Sequence, residues 1–120
     1  MAKRGDGYSQ SSRWKPVARN EELRVSLVEK RNSKESAALP GESFTPNRIY
    51  ATLRPDGQLK QIKVYNAERR EVARLDFDHE HKGLKEHVQL PDKRYRGLNV
   101  LERGYVERVK KWLDTLHSRR

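Results

Sequence analysis

The sequence predicts an α+β fold: an antiparallel meander sheet of three to four strands packed by a long C-terminal helix, with a short N-terminal helix and an extended basic arm in front. Three observations carry this expectation. Apolar residues alternate with polar ones through the middle of the chain, turn-forming residues punctuate that alternation, and the C-terminal segment switches to a spacing of three and four.

Taken in order, residues 1–19 combine Gly5, Gly7, a polar run from Ser9 to Ser12 and Pro16 with only Tyr8 and Trp14 as large apolar groups, and read as a flexible basic arm. Residues 20–120 read as a single α+β domain. Asn20 is a candidate N-cap, Glu21 and Glu22 suit the positive end of a helix, and Leu23, Leu27 and Lys30 follow at helical spacing, which predicts a short helix to about Arg31. The Ser-, Gly- and Pro-rich stretch from Asn32 to Pro46 reads as a loop.

Strand signals follow. Ile49, Ala51 and Leu53 alternate with Tyr50, Thr52 and Arg54 and stop at Pro55-Asp56-Gly57, which is turn chemistry. Leu59 to Tyr65, with Ile62 and Val64, supplies the hairpin partner. After a turn near Asn66 to Arg69, a third strand runs from Glu71 to Phe77. His87 to Leu90 offers a short fourth strand, and Asp92 to Gly97 reads as a basic loop. Leu98, Leu101, Tyr105, Val109, Trp112 and Leu116 then mark one face of a helix that opens on an N-x-x-E box, Asn99 to Glu102. Packing is expected through Leu101, Tyr105, Val109 and Trp112. Gly104 inside that helix has no evident reason in the sequence.

The chain has 120 residues, of which 33% are hydrophobic and 37% charged, enough for one modest core. Its net charge of +10 favours anionic partners, nucleic acid first, although surface charge also serves solubility alone. The excess sits at the ends: residues 1–48 carry ten basic and six acidic groups, 49–90 eight and seven, and 91–120 nine and four. Candidate nucleic-acid contacts are therefore Lys3, Arg4, Arg13, Trp14 and Lys15 in the arm, Lys93, Arg94 and Arg96 in the basic loop, and Arg103, Arg108, Lys110 and Lys111 on the helix. No segment approaches the roughly 18 apolar residues of a membrane span, and no apolar signal region opens the chain. The expected place is the cytoplasm, with no membrane partner. Met1-Ala2-Lys3 reads as the start of a short open reading frame. Without cysteine, disulfides, thiolate metal sites and cysteine nucleophiles are excluded.

Three of the four histidines fall within nine residues, in the segment Asp76 to His87. If the strand stays extended to His81, then Phe77, His79 and His81 share a face, and Gly83 permits the turn that brings His87 back. Two chemistries suit such a cluster. One is metal-free RNA cleavage, with His79 and His87 as acid and base, His81 beside them, and Arg74 with Lys82 or Lys85 on the phosphate. The other is a transition-metal site, zinc for example, held by His79, His81 and His87; without it no cofactor is expected. An ordinary polar loop is the plain alternative. His117, at the end of the last helix, is expected to be bland.

The pattern Asp76, Phe77, Asp78, His79, His81, Gly83, Leu84 and His87, with Tyr65, Ile49-Tyr50-Ala51 and Asp56-Gly57 upstream, resembles small bacterial and prophage proteins and the nuclease-type domains that end polymorphic toxins. The similarity spans about residues 48 to 90. It implies a nuclease-like role, ribonuclease among them. In that pattern a further histidine follows as H-V-H, where this chain has Gln89. An HNH nuclease is excluded, because the following helix carries no histidine before His117. The function expected is RNA binding, with cleavage as a candidate activity. The alternative is a non-enzymatic mobile-element protein that inhibits a host nucleoprotein complex by occupying its nucleic-acid groove or a protein surface; a structural part of a ribonucleoprotein particle is a third reading.

Overall fold

Period-two patterning accounts for most of what folds. The structure, a computed structural model, describes residues 14–30, 46–77 and 86–118. Within them lie β1 (Trp14–Asn20), β2 (Val25–Lys30), β3 (Ile49–Leu53), β4 (Leu59–Tyr65), β5 (Glu71–Asp76), β6 (His87–Gln89), β7 (Tyr95–Gly97) and α1 (Val100–Ser118). The seven strands form one sheet in chain order. Every neighbouring pair is antiparallel except β2 and β3. The α+β class and the central meander stand as expected, but the sheet holds seven strands, not three or four.

The expected N-terminal helix is absent: Val25 to Lys30 is a strand, and the last six residues of the presumed arm, with Asn20, are its hairpin partner. The physical reason is burial on both faces. Val25, Ser26, Leu27 and Val28 are all buried, a continuous run that suits an interior strand and the β-branched valines in it. The Asn20 signal was chemically sound, since its Oδ1 accepts from the Leu23 N–H at 2.9 Å as an N-cap would. There the chain reverses, with Arg24 at φ 58°, and no helix propagates. At the outer edge, Pro16 and a bulge at Val17 interrupt β1, which blunts that edge against further pairing.

The other turns follow one scheme, an Asx side chain closing the loop and a left-handed residue ending it. Asp56 Oδ1 accepts from Gln58 N at 2.9 Å, with Gly57 at φ 88°. Asn66 Oδ1 accepts from Glu68 N (2.9 Å) and Arg70 N (3.0 Å), with Arg69 at φ 67°. Asp92 Oδ1 accepts from Arg94 N at 3.1 Å, with Lys93 at φ 73°, and that backbone hydrogen bond holds the Asp92 carboxyl below the usual carboxylate range. The last of these turns lies in the segment expected as a basic loop. It joins β6 to β7, a three-residue strand.

Two cores lie on opposite faces of the sheet. The larger joins Val25, Leu27, Ala51, Ile62, Leu75 and Val88 to Leu98, Val106, Val109 and Leu113 of the C-terminal segment. The smaller comprises Trp14, Val28, Tyr50 and Tyr65, with the two tyrosine rings edge to face at 5.7 Å. Tyr105, Trp112 and Leu116 flank the larger core, but Leu101 is 84% exposed, contrary to expectation. Val106, Val109 and Leu113 form the stripe that packs, and Leu101 lies roughly 140° around the helix from Val106. Gly104 is on the outer side, where an added Cβ would meet nothing within 4 Å, so it answers no packing need.

The N-x-x-E box is built as read: Glu102 N donates to Asn99 Oδ1 (2.8 Å) and Asn99 N to Glu102 Oε1 (2.9 Å). Arg96 completes it with two hydrogen bonds to the same carboxylate, at 2.8 and 2.9 Å, which holds the Glu102 carboxyl low. Asn99→Ala is expected to cost about 1 kcal/mol, read from the urea midpoint. On the sheet side, the Tyr105 hydroxyl donates to the Leu23 carbonyl at 2.8 Å, and burial pushes its phenol up to about 12.

Candidate functional site

The sheet face opposite α1 is where the chemistry collects. Register places Tyr50, Lys63, Arg74, Gln89 and Tyr95 side by side across β3 to β7. The next row is Thr52, Gln61, Asp76, His87 and Gly97. Since cross-strand neighbours point the same way, Arg74 and His87, expected to act together, do share one face.

Much of this face is buried, and its charges are matched locally. Lys63 Nζ lies 3.1 Å from Glu71 Oε1, with side-chain exposures of 6% and 22%. Arg74 Nη2 donates to Gln89 Oε1 across the β5–β6 pair. His87 is only 2% exposed, and its ring meets Tyr95 edge to face at 6.4 Å. Asp76, its cross-strand neighbour, is also buried.

Towards the end of the sheet where β4 turns into β5 and β6 into β7, the face opens into a cleft of about 570 Å³. Its lining is Arg70, Glu71, Arg74, Gln89, Leu90, Pro91 and Lys93. Among the described residues, three cations and one carboxylate thus line the cleft, and that carboxylate lies 3.1 Å from Lys63. Such a surplus attracts an anion rich in hydrogen-bond acceptors.

No protein-family model, curated protein or solved structure matches this chain. The cleft's own chemistry therefore carries the functional argument.

Of the expected catalytic group, Arg74 lines the cleft and His87 is buried in the neighbouring cross-strand row, while His79, His81, Lys82 and Lys85 fall outside the described residues. Lys3, Arg4 and Arg13 fall outside them too. Among the described residues no group of three or more His, Asp or Glu side chains is placed to hold a metal, and no helix is long and apolar enough to cross a membrane. His117 is exposed at the helix end, its ring against the Gly57 turn.

The expected nucleic-acid contacts divide. Trp14 is 6% exposed within the smaller core, so its ring is not offered to a base. Lys15 lies 3.9 Å from Glu29, Arg94 2.6 Å from Asp92, Arg108 3.5 Å from Glu22 and Lys110 3.9 Å from Glu86. Arg96 is committed to Glu102, and Arg103 donates to the Leu98 carbonyl at 2.8 Å. Lys111 is exposed on the helix. Lys93 alone of this set lines the cleft. Sequence reading missed Arg70, Glu71 and Gln89. Their signal was the pairing of β5 with β6, which becomes visible once Asp92 is recognised as turn chemistry.

Proposed function

We propose that this chain binds nucleic acid, single-stranded RNA first, through the cleft between the β4–β5 and β6–β7 turns. The observation that carries this reading is the convergence of Arg70, Arg74 and Lys93 on one opening where, among the described residues, the one lining carboxylate already pairs with Lys63. The net charge of +10 supports it by speeding encounter with a polyanion. The opening suits an extended strand better than a duplex, whose A-form major groove admits few side chains.

Binding is preferred to cleavage because of His87. A general acid or base has to come within hydrogen-bond reach of the ribose, and a ring with 2% exposure does not meet a ligand in this conformation. Metal-free cleavage by His79 and His87 remains the second activity to test on the same samples.

The test is incubation of pure protein with labelled single-stranded RNA, single-stranded DNA and duplex, with and without chelator. The expected result is salt-sensitive retention of single strands, RNA foremost, with the RNA intact after hours. Fragments in both reactions would restore histidine acid–base catalysis, and fragments only without chelator would point to a bound metal. No retention of any strand at low salt would remove the reading in favour of a protein partner.

A further inference from the structure

We infer that the cleft is a pocket for one nucleotide and selects guanine, an inference that rests on the nucleic-acid reading and assigns its base preference. The lining of the cleft is richer in donors than in acceptors. Arg70, Arg74 and Lys93 can only donate. Gln89 accepts from Arg74 Nη2 with its amide oxygen, so its NH₂ is what the amide still has to offer. Glu71 gives Oε1 to Lys63 at 3.1 Å, which leaves Oε2 as the acceptor contributed by the charged lining.

A guanine meets that set on two adjacent edges. Its O6 and N7 are paired acceptors suited to a guanidinium fork, and Arg74 is braced for this by Gln89 from the neighbouring strand. Its N1–H and N2–H₂ are donors that suit a carboxylate oxygen, and Glu71 and Arg74 both project from β5 into the same opening. Adenine would set its N6 amino group against the guanidinium. Pyrimidines lack the O6 and N7 pair. Lys93, on one of the two turns that rim the cleft, is placed for the phosphate, with Arg70 on the facing turn. A volume of about 570 Å³ accommodates one nucleotide, and an unpaired base leaves both edges open for reading.

The experiment is calorimetric titration of the full chain with GMP, AMP, CMP, UMP and inorganic phosphate at low salt. GMP is expected to bind at least about tenfold more tightly than the other three, the discrimination that one good bidentate contact provides. Inorganic phosphate should bind more weakly than GMP. Equal affinity for all four nucleotides would overturn the inference, as would phosphate matching GMP. Glu71→Gln alone leaves the Lys63 ammonium without this counter-charge, so the variant to use is Lys63→Met/Glu71→Gln, with its fold checked by thermal melting. There the preference for GMP over AMP should narrow, because the contact to N1–H and N2–H₂ is lost while Arg74 still reads O6 and N7, and AMP should be unchanged; an undiminished GMP preference would contradict the role of Glu71. RNA retention without any nucleotide preference would sink the pocket and leave the nucleic-acid reading standing. GMP binding without retention of RNA would keep the pocket and remove the polymer.

Discussion

Leu113→Ala is expected to destabilise the protein by about 3 kcal/mol, while Leu101→Ala changes stability by less than about 0.5 kcal/mol. The two residues sit on one helix and lose the same atoms. Leu113 is 4% exposed among Val106, Val109 and the inner face of the sheet, so its truncation leaves a cavity as well as losing burial. Leu101, at 84% exposure, forfeits almost no contact. Urea unfolding monitored by circular dichroism separates them, and equal losses would mean that α1 is rotated from the face described.

The second large effect concerns ligand binding. Arg70→Gln/Lys93→Gln should lower the slope of log K against log salt by about 1.4, from about 0.7 per phosphate contact on a single strand. At 0.1 M salt the same arithmetic gives a loss of about 25-fold in affinity for RNA. Both residues are exposed, and Gln tolerates the left-handed backbone at Lys93 no worse than Lys does, so the fold should be unaffected. Arg103→Gln/Lys111→Gln removes the same charge from the outer side of the helix. It should leave the slope nearly unchanged if, as proposed, the phosphate contacts lie in the cleft. Equal effects from the two double variants would mean diffuse attraction, with no specific cleft.

How far the sequence foretold the molecule depended on which force dominated each segment. Where residue types differ between two faces, or turn chemistry intervenes, the pattern declares itself: Ile49, Ala51 and Leu53 alternate with the hydroxyl-bearing Tyr50 and Thr52 although both faces are buried, and the Pro55-Asp56-Gly57 turn and the capping box of α1 stand where they were read. β2 is buried on both faces, so its apolar run carries no alternation, and the Asn20 side-chain bond imitates a helix start. β7 has only three residues, too few for a period of two to register. Leu101 fits the three-four spacing but belongs to the far side of α1, a distinction that the sheet makes and the helix alone does not. The same limit applies to the site. Arg74, Lys93 and His87 were legible as chemistry-bearing residues, whereas their placement follows from the β5–β6 register and from two turns meeting at one end of the sheet. Burial of His87 and Trp14 could not be read from residue type, and it redirected the account from acid–base chemistry and stacking towards a cationic cleft.

The most direct measurement is a backbone amide chemical-shift map of the full chain titrated with a short single-stranded RNA. The largest changes are expected on Arg70, Glu71, Arg74, Gln89 and Lys93, while Arg103, Arg108 and Lys111 on the outer helix stay close to their free positions. Changes centred on the helix with the cleft silent would contradict the proposed binding site.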